Sequence, residues 1–495
     1  MKRTKIVFIL IIAIMLTSTI IIAFADSVEI ITHAGAGGAS FKDGKVTEAA
    51  FNQPYGLAVD KDGGLIVVDT YNNRIRKIKN GEVTTIAGFS DKNDSYGFPK
   101  GGYVDGKADE AMFSKPRAAV VDSKGNIYVA DTGNNSIRKI TGGKVYTFAG
   151  AGVAGYSDGK GNKVKFNAPS GLAIDKSGNV YVADSLNHVI RKITSDGTVS
   201  TFAGVNSAEG GYKDGTSSAA LFNEPSDLDF DSSGALYVLD CGNQLVRKIS
   251  GGKVTTLSGV RGELIEGTTY AQGGFQNGPA NSAKFNFPKG IDVADDGTIF
   301  VADTWNHRVR AIKPDGSVVT VVGTGLAGKV NGTLSSASLN APVDVLYHSG
   351  TLYISDMWNN LIRSITADIT SLQGVVDRAE LIQGIDFGTK TDEIQVWLDK
   401  AKVTFPDAKP YISNQKVYVP LRFVCEAWGA EVGWLNDVKK VTVKKDSFYK
   451  EFTAQTDSIA FKDGRTVMDT VNLAKATGFR VEWFPEYNAV VISTQ

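Results

Sequence analysis

The chain has 495 residues, 42% hydrophobic and 21% charged, which is a globular balance, and its 54 glycines against 13 prolines point to many tight turns. Its 53 basic and 53 acidic side chains cancel; without the leader described below, 50 basic groups face 53 acidic ones, which argues against nucleic acid as a partner. Two cysteines, Cys241 and Cys425, far apart in the chain, exclude a disulfide framework.

Lys2, Arg3 and Lys5 precede an apolar run from Ile6 to Ile22, and Ala23-Phe24-Ala25 gives the small-x-small pattern cleaved by a signal peptidase. Residues 1–25 are therefore read as a signal peptide, with an uncleaved anchor as the alternative. No later apolar run is long enough to span a bilayer. The next segment, VEIITHAG at 28–35, is a strand leading into a glycine turn, with nothing before it to pair with.

One pattern then returns every 53 to 63 residues: FNQPYGLAVDKDGGLIVVDTYNNRIRKI from Phe51, with further copies from Phe113, Phe166, Phe222 and Phe285, and a looser one from Leu339. Each copy holds three short strands, such as GLAVD, NIYVAD and SIRKI, with a D-x-x-G or related turn between the first two. A fourth strand follows a hairpin in five places, as in EVTTIAG at 82 and KVYTFAG at 144. Four antiparallel strands per unit, repeated in this way, stack radially as propeller blades. Six sets of three strands and five fourth strands leave one vacancy, which VEIITHAG fills by pairing with the strand near Ile365. ITSLQG at 369–374 is the competing candidate.

The P-x-G, V-A-D-T and N-x-x-I-R-K-I motifs resemble NHL repeats over residues 28 to about 365. The resemblance implies a β-propeller; relatives include binding scaffolds, lyases and lactonases, so it fixes no activity.

Groups needed in every blade read as scaffold. These are Asp69, Asp131, Asp184, Asp240, Asp303 and Asp356; Arg76, Arg138, Arg191, Arg247, Arg310 and Arg363; and the asparagines from Asn72 to Asn359 as turn formers. The Asp-Gly and Asn-Gly pairs at Asp43, Asp105, Asp158, Asp214, Asn277 and Asn331 read as positive-φ turns. A ligand site should break the symmetry. The residue after the repeated proline does so (Tyr55, Arg117, Ser170, Ser226, Lys289, Val343), and so does the next, where Gly56, Gly171 and Gly290 give way to Ala118, Asp227 and Asp344. Tyr55, Arg117, Ser170, Ser226, Asp227, Lys289 and Asp344 are the candidate ligand-binding residues, suited to a polar peptide or glycan. The long connections 88–113 and 259–285, with Tyr96, Tyr103, Tyr270 and Phe275, are second candidates.

Catalysis has less support. Lyase- and lactonase-type propellers gather a metal at the channel, whereas His33, His188, His307 and His348 are scattered here. Glu224, Asp227 and Asp344 form a sparse carboxylate set, and DKNDSYG from Asp91 is a partial calcium-loop pattern. No catalytic residue, metal or cofactor is assigned.

After Ile365, residues 366–392 read as a linker. EIQVWLDKAKVTF is a hairpin turning at Asp399-Lys400, and YVPLRFVCEAWGAEVGW starts a helix near Pro420, with Leu421, Val424, Cys425 and Trp428 at helical spacing and Gly429 as its stop. TVMDTVNLAKATGFRVEWFPEYNAVVIS is a degenerate second copy, with Gly478, Val481 and Trp483 where Gly429, Val432 and Trp434 stood. Residues 393–495 resemble the stalk domain named for the N-terminal region of copper amine oxidases, which implies an extracellular accessory domain. With no histidine and one cysteine, the region lacks the ligands for copper.

The expectation is a mainly β protein: a six-bladed β-propeller (26–365) closed by an N-terminal strand, followed by a small duplicated α+β domain. It reads as an exported binding protein of a bacterial envelope, secreted or surface-associated, whose partner is an extracellular peptide, protein or cell-wall glycan. A secreted metal-dependent lyase or lactonase is the alternative.

Overall fold

The computed structural model describes residues 28–95, 97–367, 369 and 385–388, and, with short interruptions, 392–494. The leader, Tyr96, ITSLQG beyond Ile369, most of the linker and Gly478 lie outside the described residues; of Trp434 and Trp483 only the backbone is described. The chain divides into two compact units, one reaching Val375 and the other running from Val376.

The first unit is a ring of six antiparallel sheets. In blade 1 the innermost strand is Pro54–Val59, followed outward by Leu65–Asp69, Arg74–Lys79 and Glu82–Ala87. The second strand is covered on both faces and is apolar throughout, whereas the outer Glu82–Ala87 alternates exposed and buried positions. Asp60 Oδ1 accepts the amides of Asp62 and Gly64, each at 2.8 Å, which closes the D-x-x-G turn. Each blade also carries an outer fifth strand of two residues, Gly44–Lys45 in blade 1, which the four-strand reading of the sequence did not include.

Blade 6 is closed as the strand count requires. Glu29–Ala34 lies between Leu361–Thr366 and Gly332–Thr333, with Ile30 opposite Ile365 and Thr32 opposite Arg363. Ile30 is wholly buried and Ile31 is exposed.

Blades pack through apolar seams centred on the first residue of each repeat. Phe113, for example, is buried among Ala58, Ile66 and Val68 of blade 1 and Ala119 and Val129 of blade 2. Phe51, Phe166, Phe222 and Phe285 are as deeply buried, and each ring contributes about 2–3 kcal/mol.

Behind these rings lies the repeated charge pair. All six arginines are fully buried, and Arg76 Nη1 meets Asp69 Oδ2 at 2.6 Å. Nη1 also donates to the Ala50 carbonyl, and the other nitrogens donate to Asp43 Oδ1 (2.6 Å to Nη2) and to the Lys42 carbonyl. The Asp-Gly and Asn-Gly side chains thus do more than make turns. Asp105, Asp158 and Asp214 each lie 2.5 Å from the arginine of their blade, and Asn277 and Asn331 lie 2.7 Å away. In five blades the guanidinium also sits between two aromatic rings, as with Arg138 between Tyr103 (4.9 Å) and Phe113 (5.2 Å), or Arg310 between Phe275 (4.6 Å) and Phe285 (5.4 Å). A buried pair needs its remaining groups bonded, and carbonyls with a second Asp or Asn take the Nη groups here, while among the described residues Nε is bonded in Arg76 but meets no acceptor in Arg138, Arg191, Arg247 and Arg363.

The second unit is built twice from a strand, a helix and two strands. Lys416–Pro420, Leu421–Ala427, Glu431–Leu435 and Lys440–Lys445 form one half; Arg465–Asp469, Thr470–Thr477, Arg480–Phe484 and Ala489–Ser493 form the other. Pro420 ends its strand, paired with Val467, and caps the helix instead of entering its first turn. Leu421, Val424 and Cys425 are buried in the core, where burial pushes the Cys425 thiol up to about 12. Asp399 and Lys400 both take positive φ, as a two-residue hairpin turn requires.

Candidate functional site

One end of the ring is defined by three sets of turns. Strand 2 of each blade ends at the repeated Asp and enters a single 3-10 turn, such as Thr70–Asn72, whose cap residue is left-handed. The glycine ending strand 4 packs on the same cap: a Cβ on Gly88 would lie 2.6 Å from the Asn73 carbonyl. Strand 1 starts here as well, because the Thr70 hydroxyl donates to the Pro116 carbonyl of the next blade at 2.8 Å, and Thr132 and Ser185 repeat that bond.

The left-handed cap residues stitch the blades together. Asn73, Asn135 and Asn360 accept the amides of Lys115, Ala168 and Gln53 at 2.7–2.9 Å. Gln244 takes Phe287, and His188 and His307 do the same through Nδ1, with Glu224 at 3.0 Å and Ala341 at 3.1 Å. Both histidines are therefore neutral acceptors, and burial lowers their pKa below 6.5. His33 packs edge-on against Tyr353.

The innermost strands place the sequence candidates at two depths. Next to the proline, Ser170 and Ser226 turn into the seams: Ser170 Oγ lies 2.6 Å from the Ser226 carbonyl and Ser226 Oγ 3.1 Å from that of Pro288. Val343 is buried. Tyr55, Arg117 and Lys289 keep partial exposure and converge on the channel. Arg117 lies 5.6 Å from the Tyr55 ring, and the Tyr55 phenol, pushed up by burial, also feels Lys289 and Asp227.

One residue further in, space is short. A Cβ on Gly56, Gly171 or Gly290 would lie about 2.5 Å from the backbone of Ala118's, Asp227's or Asp344's segment in the next blade, so only alternate blades carry a side chain there. Asp227 and Asp344 use theirs to bond the inner edge of the following blade, Asp227 with Ile291 N (3.0 Å) and Asp344 with Leu57 N (2.7 Å). Asp229 and Asp292 do likewise with Val293 N and Tyr347 N, each at 2.9 Å. Burial raises all four carboxyls, Asp229 to about 6, and mutual repulsion adds to it. Asp229 and Asp292 were not singled out from sequence, although they break a slot held by Ala58, Val120, Ala173 and Leu346.

Above the channel, the second residue of each 3-10 turn forms a rim: Tyr71, Gly133, Leu186, Gly242, Trp305 and Trp358 in blade order. Tyr71, Leu186, Trp305 and Trp358 are exposed, at 36%, 44%, 44% and 43%. Trp305 and Trp358 come from neighbouring blades, and their ring centroids are 5.0 Å apart, edge to face. Over Gly242 the long connection folds inward. Ala271 N donates to the Gly242 carbonyl, Asn223 holds the Thr269 carbonyl, and Tyr270 bonds Glu224 Oε1 at 2.5 Å while packing against Phe287. Tyr270 is thus at the mouth, whereas Tyr103 and Phe275 belong to the arginine layer. The rim slot was visible in the repeats as a symmetry break, but its turn context disguised it.

The donor set does not fit the metal centre of lyase- or lactonase-type propellers. His188 and His307 spend their acceptor nitrogens on backbone amides and each channel aspartate holds another; among the described residues no three His, Cys, Asp or Glu are grouped to hold an ion. In the second unit a groove of about 780 Å³ lies between the edge strands Ala401–Val403 and Tyr411–Ser413, near the Glu393–Lys409 ion pair.

Family models match NHL repeats at residues 51–78, 113–140, 166–193, 222–249 and 285–312. Five of the six blades carry NHL repeats. The sixth copy, from Leu339, falls outside the matched segments yet folds as the same blade, and residues 397–492 match the copper amine oxidase N-terminal domain. Among curated proteins, Protein SUPPRESSOR OF QUENCHING 1, chloroplastic, of Arabidopsis thaliana is 30% identical over 278 residues, 53% of this chain and 26% of that protein. NHL repeat-containing protein 2 of Bos taurus is 28% identical over 334 residues, 60% and 44%. The chain thus spans between a quarter and under half of these relatives. An auxiliary nutrient binding protein from Bacteroides thetaiotaomicron superposes on the NHL propeller's fold class with a TM-score of 0.51 at 16% identity, covering 68% of this chain and 76% of that one.

Proposed function

We propose that the protein is an exported binding protein whose NHL propeller holds an extracellular ligand at this channel mouth, with the C-terminal domain positioning it at the cell envelope. One observation carries the reading: exposed aromatics and free cations that break the sixfold pattern gather at one end of the ring, while the repeated polar groups are spent on seams. Aromatic side chains beside a few convergent polar groups form the usual composition of a binding site. Export rests on the leader, and the ligand is a peptide or a glycan.

The test is a combined peptide and glycan array probed with the full chain and with Trp305→Ala/Trp358→Ala. The double variant should lose the hits while its melting temperature stays within a few degrees, since exposed substitutions change stability by about 0.5 kcal/mol or less. Hits that survive the double substitution would place binding elsewhere.

A further inference from the structure

Arg117 and Lys289 form no ion pair among the described residues, although both sit largely enclosed at the channel mouth. Lys289 has the Cys241 thiol and, 6.0 Å away, the Phe287 ring beside it. Of the carboxylates around this mouth, Asp227 already bonds the Ile291 amide, and Glu224 is held by Tyr270. Two enclosed cations without a counter-charge are costly, and an entering carboxylate would gain charge-assisted hydrogen bonds from both, with the Tyr55 phenol between them.

The rim directly above is aromatic on three consecutive blades, with Trp305, Trp358 and Tyr71 exposed and Lys115 5.4 Å from the Tyr71 ring. Ring faces of this kind take the apolar faces of sugars. Beneath the same three blades the inner strand edges are closed to a peptide backbone: the amides of Ile291, Val293, Tyr347 and Leu57 are each held by an aspartate of the preceding blade. Strand addition, the usual way an extended peptide gains affinity, has no free ladder here.

Building on the binding role proposed above, we propose that the ligand is an acidic carbohydrate, a uronic-acid oligosaccharide whose carboxylate enters between Arg117 and Lys289 while its rings lie on Trp305, Trp358 and Tyr71. Titration calorimetry of the full chain against oligosaccharides of galacturonic, glucuronic and mannuronic acid, their carboxyl-reduced neutral counterparts, and an oligoglutamate peptide tests it. At least one uronate should bind, and its neutral counterpart should bind about tenfold or more weakly. Arg117→Met or Lys289→Met should weaken the uronate by a similar factor and leave the neutral sugar unchanged, and Lys289→Arg should restore most of the loss. The tryptophan double variant should weaken both sugars. Melting curves identify any variant that fails to fold, in which case Lys289→Arg against the neutral and acidic pair decides. Equal affinity for acidic and neutral sugars, tighter binding of oligoglutamate, or no binding of any uronate would overturn the inference. The first two results would leave the binding role standing, and after the third the array would decide it.

Discussion

The arginine layer and the channel mouth are cut from the same repeat and treat positive charge in opposite ways. In the layer, each of six guanidiniums is wholly buried against an aspartate, with carbonyls and a second Asp or Asn taking most of its remaining N–H groups. At the mouth, Arg117 and Lys289 stand on inner strands of two blades without an acidic partner. A group present in every blade has its partner built in, whereas one present in a single blade is free to take its partner from outside.

The largest effect that bears on this division comes from the strand that closes the ring. Removing residues 28–35 strips about half a dozen ladder bonds at roughly 1 kcal/mol each, and the burial of Val28, Ile30 and Ala34. The truncated protein should melt far lower and aggregate through the exposed edge of Leu361–Thr366, as thermal scans with light scattering will show. A truncation that melts like the full chain would mean that another segment shuts blade 6.

Next in size is Arg138→Ala, which leaves Asp131 buried and unpaired. Breaking such a pair costs roughly 3–5 kcal/mol. Urea unfolding should show that loss, while the remaining folded protein keeps its ligand affinity. Loss of affinity without loss of stability would erase the line between scaffold and site.

The smallest effect concerns the cap slot. Burial holds His188 and His307 below 6.5, so under that value the folded state binds fewer protons than the unfolded chain. Their contribution is full above pH 6.5 and is lost as the pH falls through 6.5 towards the depressed folded value. Asp69, Asp131, Asp184 and Asp240, raised by burial to about 6, act in the opposite sense and favour the folded state as the pH falls from about 6 to 4. The comparison that isolates the histidines is wild type against His188→Asn/His307→Asn, which installs the residue found at Asn73, Asn135 and Asn360. Between pH 7.5 and 5 the wild type should lose more stability than the variant, as urea unfolding at the two pH values will show. Identical pH profiles would remove the histidines from the seam.

The ring was legible because six copies of one pattern fix strand order, and because five fourth strands for six blades leave one vacancy that VEIITHAG fills. The aromatic partners of the arginines were legible too, though the reading of the sequence passed over them: Phe41, Tyr103, Tyr156, Tyr212 and Phe275 each stand ten residues before the phenylalanine that opens the repeat. At the site, sequence singled out Tyr55, Arg117 and Lys289, which stay open to the channel, together with Ser170, Ser226, Asp227 and Asp344, whose polar atoms serve neighbouring blades. Which way a hydroxyl points depends on a neighbour some 55 residues away, as in Ser170 and Ser226, and no local pattern encodes that.

The alternation of Gly56, Ala118, Gly171, Asp227, Gly290 and Asp344 sets a parity rule. Around the innermost circle every occupied seat has an empty one on each side, an arrangement that closes only for an even number of seats. A single duplicated repeat would set two side chains, or two vacancies, next to each other: a backbone collision in one case and a hole beside the axis in the other. A lineage of such rings would grow or shrink more readily by pairs of blades than by one.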